Sequence, residues 1–277
     1  MRVIDCLHLG NPRVIGCWVV DDVLIDPGPT SCLETLLAGL DGLRPRALLL
    51  THIHLDHAGA SGSLVQRWPD LEVYVHERGA RHMIDPSRLI ASATQLYKDD
   101  MDRLWGEFVP VPEANLRILT GGEQLFGAEG FEVAYTPGHA NHHVSYRHGR
   151  TAFVGDVGGV RIEDGGMVIP PTPPPDIDLP KWHASLQLIA AWRPERLAMT
   201  HFGSNDDDVQ SQLEAVGDRL DRWAELAREN ELQEFSDAVQ AEIAEHVSPE
   251  IAAAYAQAAP RDQLYAGLRR YWDKLEK

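Results

Sequence analysis

The sequence predicts an α/β protein whose strands deliver metal-capable side chains to one edge, and three features carry that expectation. Thr51-His52-Ile53-His54-Leu55-Asp56-His57 places four such side chains within six residues, directly after the apolar run Ala47-Leu48-Leu49-Leu50. The arrangement recurs: strand-like runs at 133–138, 152–155 and 197–200 lead to His139, Asp156 and His201. Between and after these runs, apolar residues return at helical spacing.

Taken in order, residues 2–9, 14–20 and 23–25 read as an opening meander and 30–40 as a helix. The run at 47–50 reads as a buried strand. In the extended backbone after it, alternate side chains point the same way, so His52 and His54 can share one ion. Asp56 and His57 open a new segment, 58–68, where Leu64, Val65 and Trp68 stand at helical spacing; the change of direction lets them face a second ion. Residues 71–76 form another strand, and Leu89, Ala93, Leu96, Met101, Leu104 and Trp105 predict one or two helices within 86–108. Residues 163–180 hold six prolines, which rules out a helix or a central strand. Because they follow the Asp156 strand, they are expected near the metal edge as a stiff wall, the plain alternative being a surface connection. A helix begins at Leu179-Pro180, runs to Trp192 and leads into the His201 strand.

A lone His-x-His after a strand means little, and so does His139 or His201 alone. Five histidines and two aspartates at strand ends are enough to hold two divalent ions. Imidazole and carboxylate suit zinc, iron or manganese without any thiolate. A carboxylate has two oxygens and can bridge two ions, a role suited to Asp156.

The heptapeptide at 51–57, followed in order by Thr136-Pro137-Gly138-His139, Phe153-Val154-Gly155-Asp156 and Met199-Thr200-His201, resembles the signature of the metallo-β-lactamase-fold hydrolase superfamily. Leu24-Ile25-Asp26-Pro27-Gly28 is similar to that family's early strand-to-turn element, and the resemblance covers roughly residues 1–205. It implies a four-layer αββα sandwich with the metals at one edge between two sheets. It implies His52, His54 and His139 on one ion, Asp56, His57 and His201 on the other, and Asp156 bridging. Asp156 stands where the Cys ligand of one β-lactamase branch would sit, which disfavours that branch. His143 matches a family histidine that is usually not a ligand and is expected to be a supporting or structural residue.

Composition narrows the function further. A chain of 277 residues can bury a large core. Its net charge of −17 opposes binding to a phosphate backbone, so no nucleic-acid partner is expected. No stretch approaches the roughly 18 apolar residues of a membrane span. The first residues enter a strand-like run, without a signal-peptide pattern. Three cysteines, Cys6, Cys17 and Cys32, fit a reducing cytoplasm and read as small buried apolar residues.

Residues 206–277 change character and are expected to form a helical C-terminal appendage on a catalytic domain spanning 1–205. Leu213, Val216, Leu220, Trp223 and Leu226 make one helical stripe; Phe235, Val239, Ile243 and Val247 make a second; Leu264, Leu268, Tyr271 and Leu275 make a third. Ser248-Pro249 reads as a further helix start, with proline at the first helical position. This tail is similar in kind to that of glyoxalase II, the hydroxyacylglutathione hydrolase of the superfamily, whose C-terminal helices bind glutathione. Here the segment carries 17 acidic and 8 basic residues, which suits glutathione poorly apart from Arg269, Arg270 and Lys274.

The expected function is a binuclear metal-dependent hydrolase of a small ester, lactone or thioester. A metal-bridging water, acidified to hydroxide, would attack the carbonyl. A metal ion would stabilise the oxyanion, and Asp56 would hold the nucleophile and help protonate the leaving group. Zinc is the foremost metal, with iron or manganese as alternatives. The competing reading is a mononuclear iron, persulfide dioxygenase-like oxidoreductase. The superfamily's diiron oxidoreductases typically carry Glu at the position of His54, which argues against them. A small acyl substrate with an apolar acyl group is expected, not a polyanion or a membrane, and a homodimer is compatible with this reading.

Overall fold

The computed structural model describes residues 1–276. Its first sheet runs β1 (Arg2–Asp5), β2 (Gly16–Val20), β3 (Val23–Ile25), β4 (Ala47–Leu49), β5 (Glu72–His76) and β6 (Leu116–Leu119), neighbours in that order. The first three strands pair antiparallel, as a meander must, and β3 to β6 pair parallel. Parallel pairing needs crossovers, and these are the helices α1 (Leu33–Leu40), α2 (Leu55–Ala58), α3 (Ser61–Arg67), α4 (Glu77–Ile84), α5 (Ser87–Tyr97) and α6 (Met101–Trp105). The second sheet holds β7 (Gln124–Leu125), β8 (Phe131–Tyr135), β9 (Val144–His148), β10 (Thr151–Phe153), β11 (Arg196–Met199) and β12 (Gly203–Asn205), again in spatial sequence. Only β10 and β11 are parallel there, joined across α7 (Leu179–Ala191).

Alternation along the strands makes the layers. Trp18 and Val20 of β2, Ala47 and Leu49 of β4, and Phe153 of β10 meet in one apolar cluster between the sheets. Their neighbours Cys17, Val19 and Leu48 belong to a second cluster under Leu36, Leu40, Leu64 and Met83. Ala152 and Val154 turn the other way, toward Trp182 and the C-terminal helices. With both faces of both sheets covered, the result is the expected αββα sandwich. The sheets are stitched at one edge: Tyr146 Oη donates to Leu50 O at 2.7 Å, Trp18 Nε1 to Met199 O at 3.0 Å, and Val144 N to Thr51 O at 2.8 Å.

The C-terminal segment folds as α8 (Val209–Glu229), α9 (Leu232–His246), α10 (Pro249–Ala258) and α11 (Arg261–Leu275), which pack on one another. Local chemistry sets the breaks. Asp208 caps α8 through Ser211 N, Glu231 and Glu234 form a capping box on α9, and Ser248 caps α10 with Pro249 at its first turn. Leu213, Val216, Leu220 and Trp223 share an apolar cluster with Ile177, Trp182 and Met199.

Two local departures from the sequence reading have physical causes. The first strand ends at Asp5, not near Leu9, because the Asp5 carboxylate accepts Leu7 N at 3.0 Å and Arg13 N at 2.8 Å and folds the chain back. Within the helix expected over 58–68, α3 starts only at Ser61, because the chain breaks after α2 ends at Ala58, where Ala60 N donates to Gly28 O at 2.9 Å.

Candidate metal centre

All seven predicted site residues converge at the stitched edge. His52, His54, His139 and Asp156 offer ligand atoms that lie within 4.8 Å of one another, and so do Asp56, His57 and His201. His52 Nε2 and His139 Nε2 each stand 3.0 Å from His54 Nδ1, so three ring nitrogens face one point. Asp156 stands between the two groups. Its Oδ2 is 3.3 Å from His139 Nε2, and its Oδ1 is 3.2 Å from His57 Nε2 and 3.6 Å from His201 Nε2. Asp56 Oδ2 lies 3.2 Å from His201 Nε2.

The far nitrogen of most of these rings is fixed by the fold, which sets the tautomer that faces inward. Asp26, at the end of β3, accepts from His57 Nδ1 at 2.8 Å, Thr51 N at 2.8 Å, Thr51 Oγ1 at 2.6 Å and Thr200 Oγ1 at 2.9 Å. Because the Thr51 hydroxyl donates to Asp26, it accepts from His52 Nδ1 at 3.0 Å. His139 Nδ1 donates to Pro171 O at 2.9 Å, and His201 Nδ1 to Val14 O at 2.5 Å. Gly138 precedes His139 at φ +140, with Trp182 so close that an added Cβ would sit 2.4 Å from its backbone. His143 joins neither group; its Nδ1 meets Thr136 Oγ1 at 2.9 Å, and its Nε2 is buried without a hydrogen-bond partner.

Sequence reasoning did not single out Asp26 or Thr51 for this support. Asp26 carried the same signal as the ligands, an acid directly after an apolar strand run. His142 was also missed. Its ring borders the cavity beside His54, 5.7 Å between centroids, and no spacing rule marked it.

The donor set fits a pair of cations. His57 Nε2, His201 Nε2 and Asp156 Oδ1 are buried without a hydrogen-bond partner. Orphaned polar atoms each cost about 1–3 kcal/mol, so several aimed at one point call for a shared positive charge. Burial holds His52 well below the ordinary imidazole range, helped by the His57, His54 and His139 rings. Burial and His139 bring His54 down to about 3, and burial lowers His139 against the pull of Asp156. These rings are therefore neutral, the form that binds metal. At His57 and His201 burial also opposes charge, but Asp156 and Asp56 outweigh it and raise both. Burial likewise opposes ionisation of Asp56 and Asp156, and the neighbouring histidines, His57 foremost, overcome it and lower both.

The centre opens into a cavity of about 1060 Å³. Leu89, Leu96, Tyr97 and Trp105 of the 86–108 insertion line one side, and Pro171, Pro173, Pro174 and Pro175 line another. Gln257, Gln263 and Arg270 of the C-terminal helices complete the wall. Both expected wall segments and the helical tail thus reach the same space. Among the described residues no helix is long and apolar enough to cross a membrane.

The chain belongs to the metallo-beta-lactamase superfamily, whose sequence pattern matches residues 11–201. It is 31% identical over 145 residues to a hydroxyacylglutathione hydrolase of Hamiltonella defensa, an alignment covering 50% of this chain and 45% of that one. The chain thus spans about half the length of this relative. The structure of TTHA1623 in a di-iron-bound form is similar at TM-score 0.56 and 31% identity, covering 73% of this chain and 93% of that one. TTHA1429 from Thermus thermophilus, a metallo-beta-lactamase family protein, shares the fold at TM-score 0.65 and 20% identity over 95% of this chain and 87% of its own.

Proposed function

We propose that this protein is a binuclear metal-dependent hydrolase of a small ester, lactone or thioester. The observation that carries the reading is the Asp156 carboxylate, which turns one oxygen toward each of two ligand groups. Two divalent ions held there would supply an acidified water and the charge that stabilises a carbonyl oxyanion. Asp56 contributes from the cavity side: its side chain is partly exposed and can hold or pass a proton at the reacting centre. Asp26, Thr51 and Pro171 O keep the ring nitrogens aimed, and the proline wall and the insertion border the cavity in front of them.

Zinc suits the nitrogen-rich donor set, and the likeness to a protein solved in a di-iron-bound form keeps iron as the alternative metal. The likeness to a hydroxyacylglutathione hydrolase places thioesters among the substrates to try. Two complete ligand groups favour the hydrolase over the single-iron persulfide dioxygenase reading. Buried free thiols at Cys6, Cys17 and Cys32 accord with a reducing, cytoplasmic setting.

Elemental analysis of freshly purified protein tests the site, and anomalous scattering locates the ions. About two divalent ions per chain are expected, side by side. A panel of aryl esters, lactones, glutathione thioesters, β-lactams, phosphodiesters and persulfides tests the chemistry. Turnover of the ester, lactone or thioester members is expected. One iron per chain with turnover of persulfides alone would replace this reading with the dioxygenase.

A further inference from the structure

Outside the metal centre, basic residues outnumber acidic ones on the cavity wall, the reverse of the chain as a whole. Acidic residues outnumber basic ones by 42 to 25 overall, yet Arg78, Arg81, Arg88 and Arg270 all line this one cavity. Apart from the aspartates of the metal centre, the wall's acids are Glu77 and Asp176. Asp176 is engaged with Asn141 N at 3.3 Å. Among the described residues, none of the four arginines has a carboxylate within 4.0 Å; the same holds for Arg2, Arg67, Arg193 and Arg261 elsewhere, but only the cavity gathers several such arginines on one wall.

Three of the four come from consecutive helices. Arg78 and Arg81 are one turn apart on α4, and Arg88 opens α5. Gly79 sets their distance from the metal centre. An added Cβ there would lie 2.9 Å from Ile53 Cγ2 and 3.5 Å from His142 Cβ, so α4 rests directly on the loop that carries His52 and His54. Arg81 Nε donates to His82 Nε2 at 3.1 Å, and the Arg78 guanidinium lies 5.9 Å from the centre of the Tyr135 ring. Burial lowers His82, and the charges of Arg81 and Arg88 lower it further against the pull of Asp85. Arg270 differs: its Nε donates to Pro175 O at 3.3 Å, and Lys274 Nζ reaches the same carbonyl at 2.7 Å. Arg269 pairs with Asp273 at 3.3 Å. Arg270 and Lys274 are thus occupied in holding the tail to the proline loop, and the unpaired arginines lie on α4 and α5.

We propose that the substrate carries a carboxylate at its non-reacting end and that Arg78, Arg81 and Arg88 receive it. A guanidinium presents paired N–H donors that match a carboxylate and remain charged at any working pH. The apolar side of the cavity, Leu89, Ala93 and Leu96 on α5, would cover the chain between that carboxylate and the scissile carbonyl. The substrate is then a monoanionic acyl compound with an apolar middle. This rests on the hydrolase reading for the reacting end.

The test uses 4-nitrophenyl half-esters of succinic, glutaric, adipic and suberic acids beside their methyl-capped counterparts, with the two-metal enzyme. The free acids should have the lower KM, by about 10-fold at the best chain length, and the advantage should shrink with added salt. Replacing all three arginines by alanine (R78A/R81A/R88A) should erase that difference by raising the KM of the free acid, with metal content retained. The triple lysine variant, which keeps the charge, should restore part of it. Calorimetric titration of suberate into wild type and the alanine variant gives a readout independent of turnover. The metals are the same in both proteins, so binding weaker by about 10-fold in the variant reports the arginines. Equal suberate affinity in both, or an unchanged preference for the free acid in the variant, would overturn the assignment. Failure of every ester to turn over would count against the hydrolase reading alone, because the titration still decides the arginine site.

Discussion

At the scale of single residues, two carboxylates do different work. Asp156 lies between the ligand groups, and Asp26 lies behind them. Asp156→Ala removes the carboxylate that the two groups would share, so the second ion and turnover should fall together, by orders of magnitude in rate. Metal analysis and kinetics on the same preparation check this, and retention of two ions with full turnover would defeat the assignment. Asp26→Asn keeps the shape but loses the charge-assisted acceptor that holds the His57 Nδ1 proton. Metal affinity should drop by about 10–100-fold, the usual loss when such a support is removed. A competitive chelator titration measures it. These residues differ in legibility for a physical reason. The ligands stand at strand ends in a dense run of metal-capable types, so sequence spacing marks them. Arg78, Arg81 and Arg88 look like any helix surface in the sequence, since nothing in it says which face of α4 meets a cavity.

At the scale of elements, the α8–α9 pair is latched by one acid. Glu242 accepts from Arg219 Nε at 3.0 Å, Arg222 Nη2 at 2.9 Å and Trp223 Nε1 at 2.8 Å. Burial opposes its ionisation, but the bonds from Trp223, Arg222 and Arg219 lower it below the ordinary range. A carboxylate whose folded value is lowered stabilises the fold above its unfolded value, near 4.5. That contribution is lost as pH falls through the folded value. Glu242→Ala should therefore destabilise by about 1–2 kcal/mol near neutrality, allowing for its partly exposed edge. The difference from wild type should narrow below about pH 4. Urea unfolding at neutral and acidic pH measures both. The long helices were legible from their apolar stripes, whereas α4, a short helix between β5 and α5, was not. The short strands β6, β7, β9 and β12 were not, because runs of two to five residues leave little periodicity to read.

At the scale of the whole molecule, the apolar cluster under the second sheet is shared with the C-terminal helices. Trp182, Met199, Val216, Leu220, Trp223, Phe235 and Leu268 are all buried in it. Each fully buried side chain of this size contributes about 1.5–3 kcal/mol. Cutting the chain after residue 205 would expose much of that surface. The intact protein should unfold in one transition when followed by tryptophan fluorescence and by far-UV circular dichroism. A truncation to 1–205 should be strongly destabilised or insoluble. Two separated transitions, or a truncation as stable as the full chain, would show that the helical tail folds independently of the sandwich.

What the sequence determined by itself was the set of candidate metal-ligating side chains at strand ends, the buried strand run at 47–50, and the positions of the long helices. Those follow from local rules: strand ends, helical spacing and capping residues act over a few positions along the chain. Only the tertiary structure decided that Asp26 reaches back from β3 to hold His57, and that Gly79 sets α4 against the His52–His54 loop. It also decided that the proline wall, the insertion and the tail enclose one cavity with arginines on its wall. These depend on contacts between segments tens to hundreds of residues apart, and no local spacing encodes which of them meet.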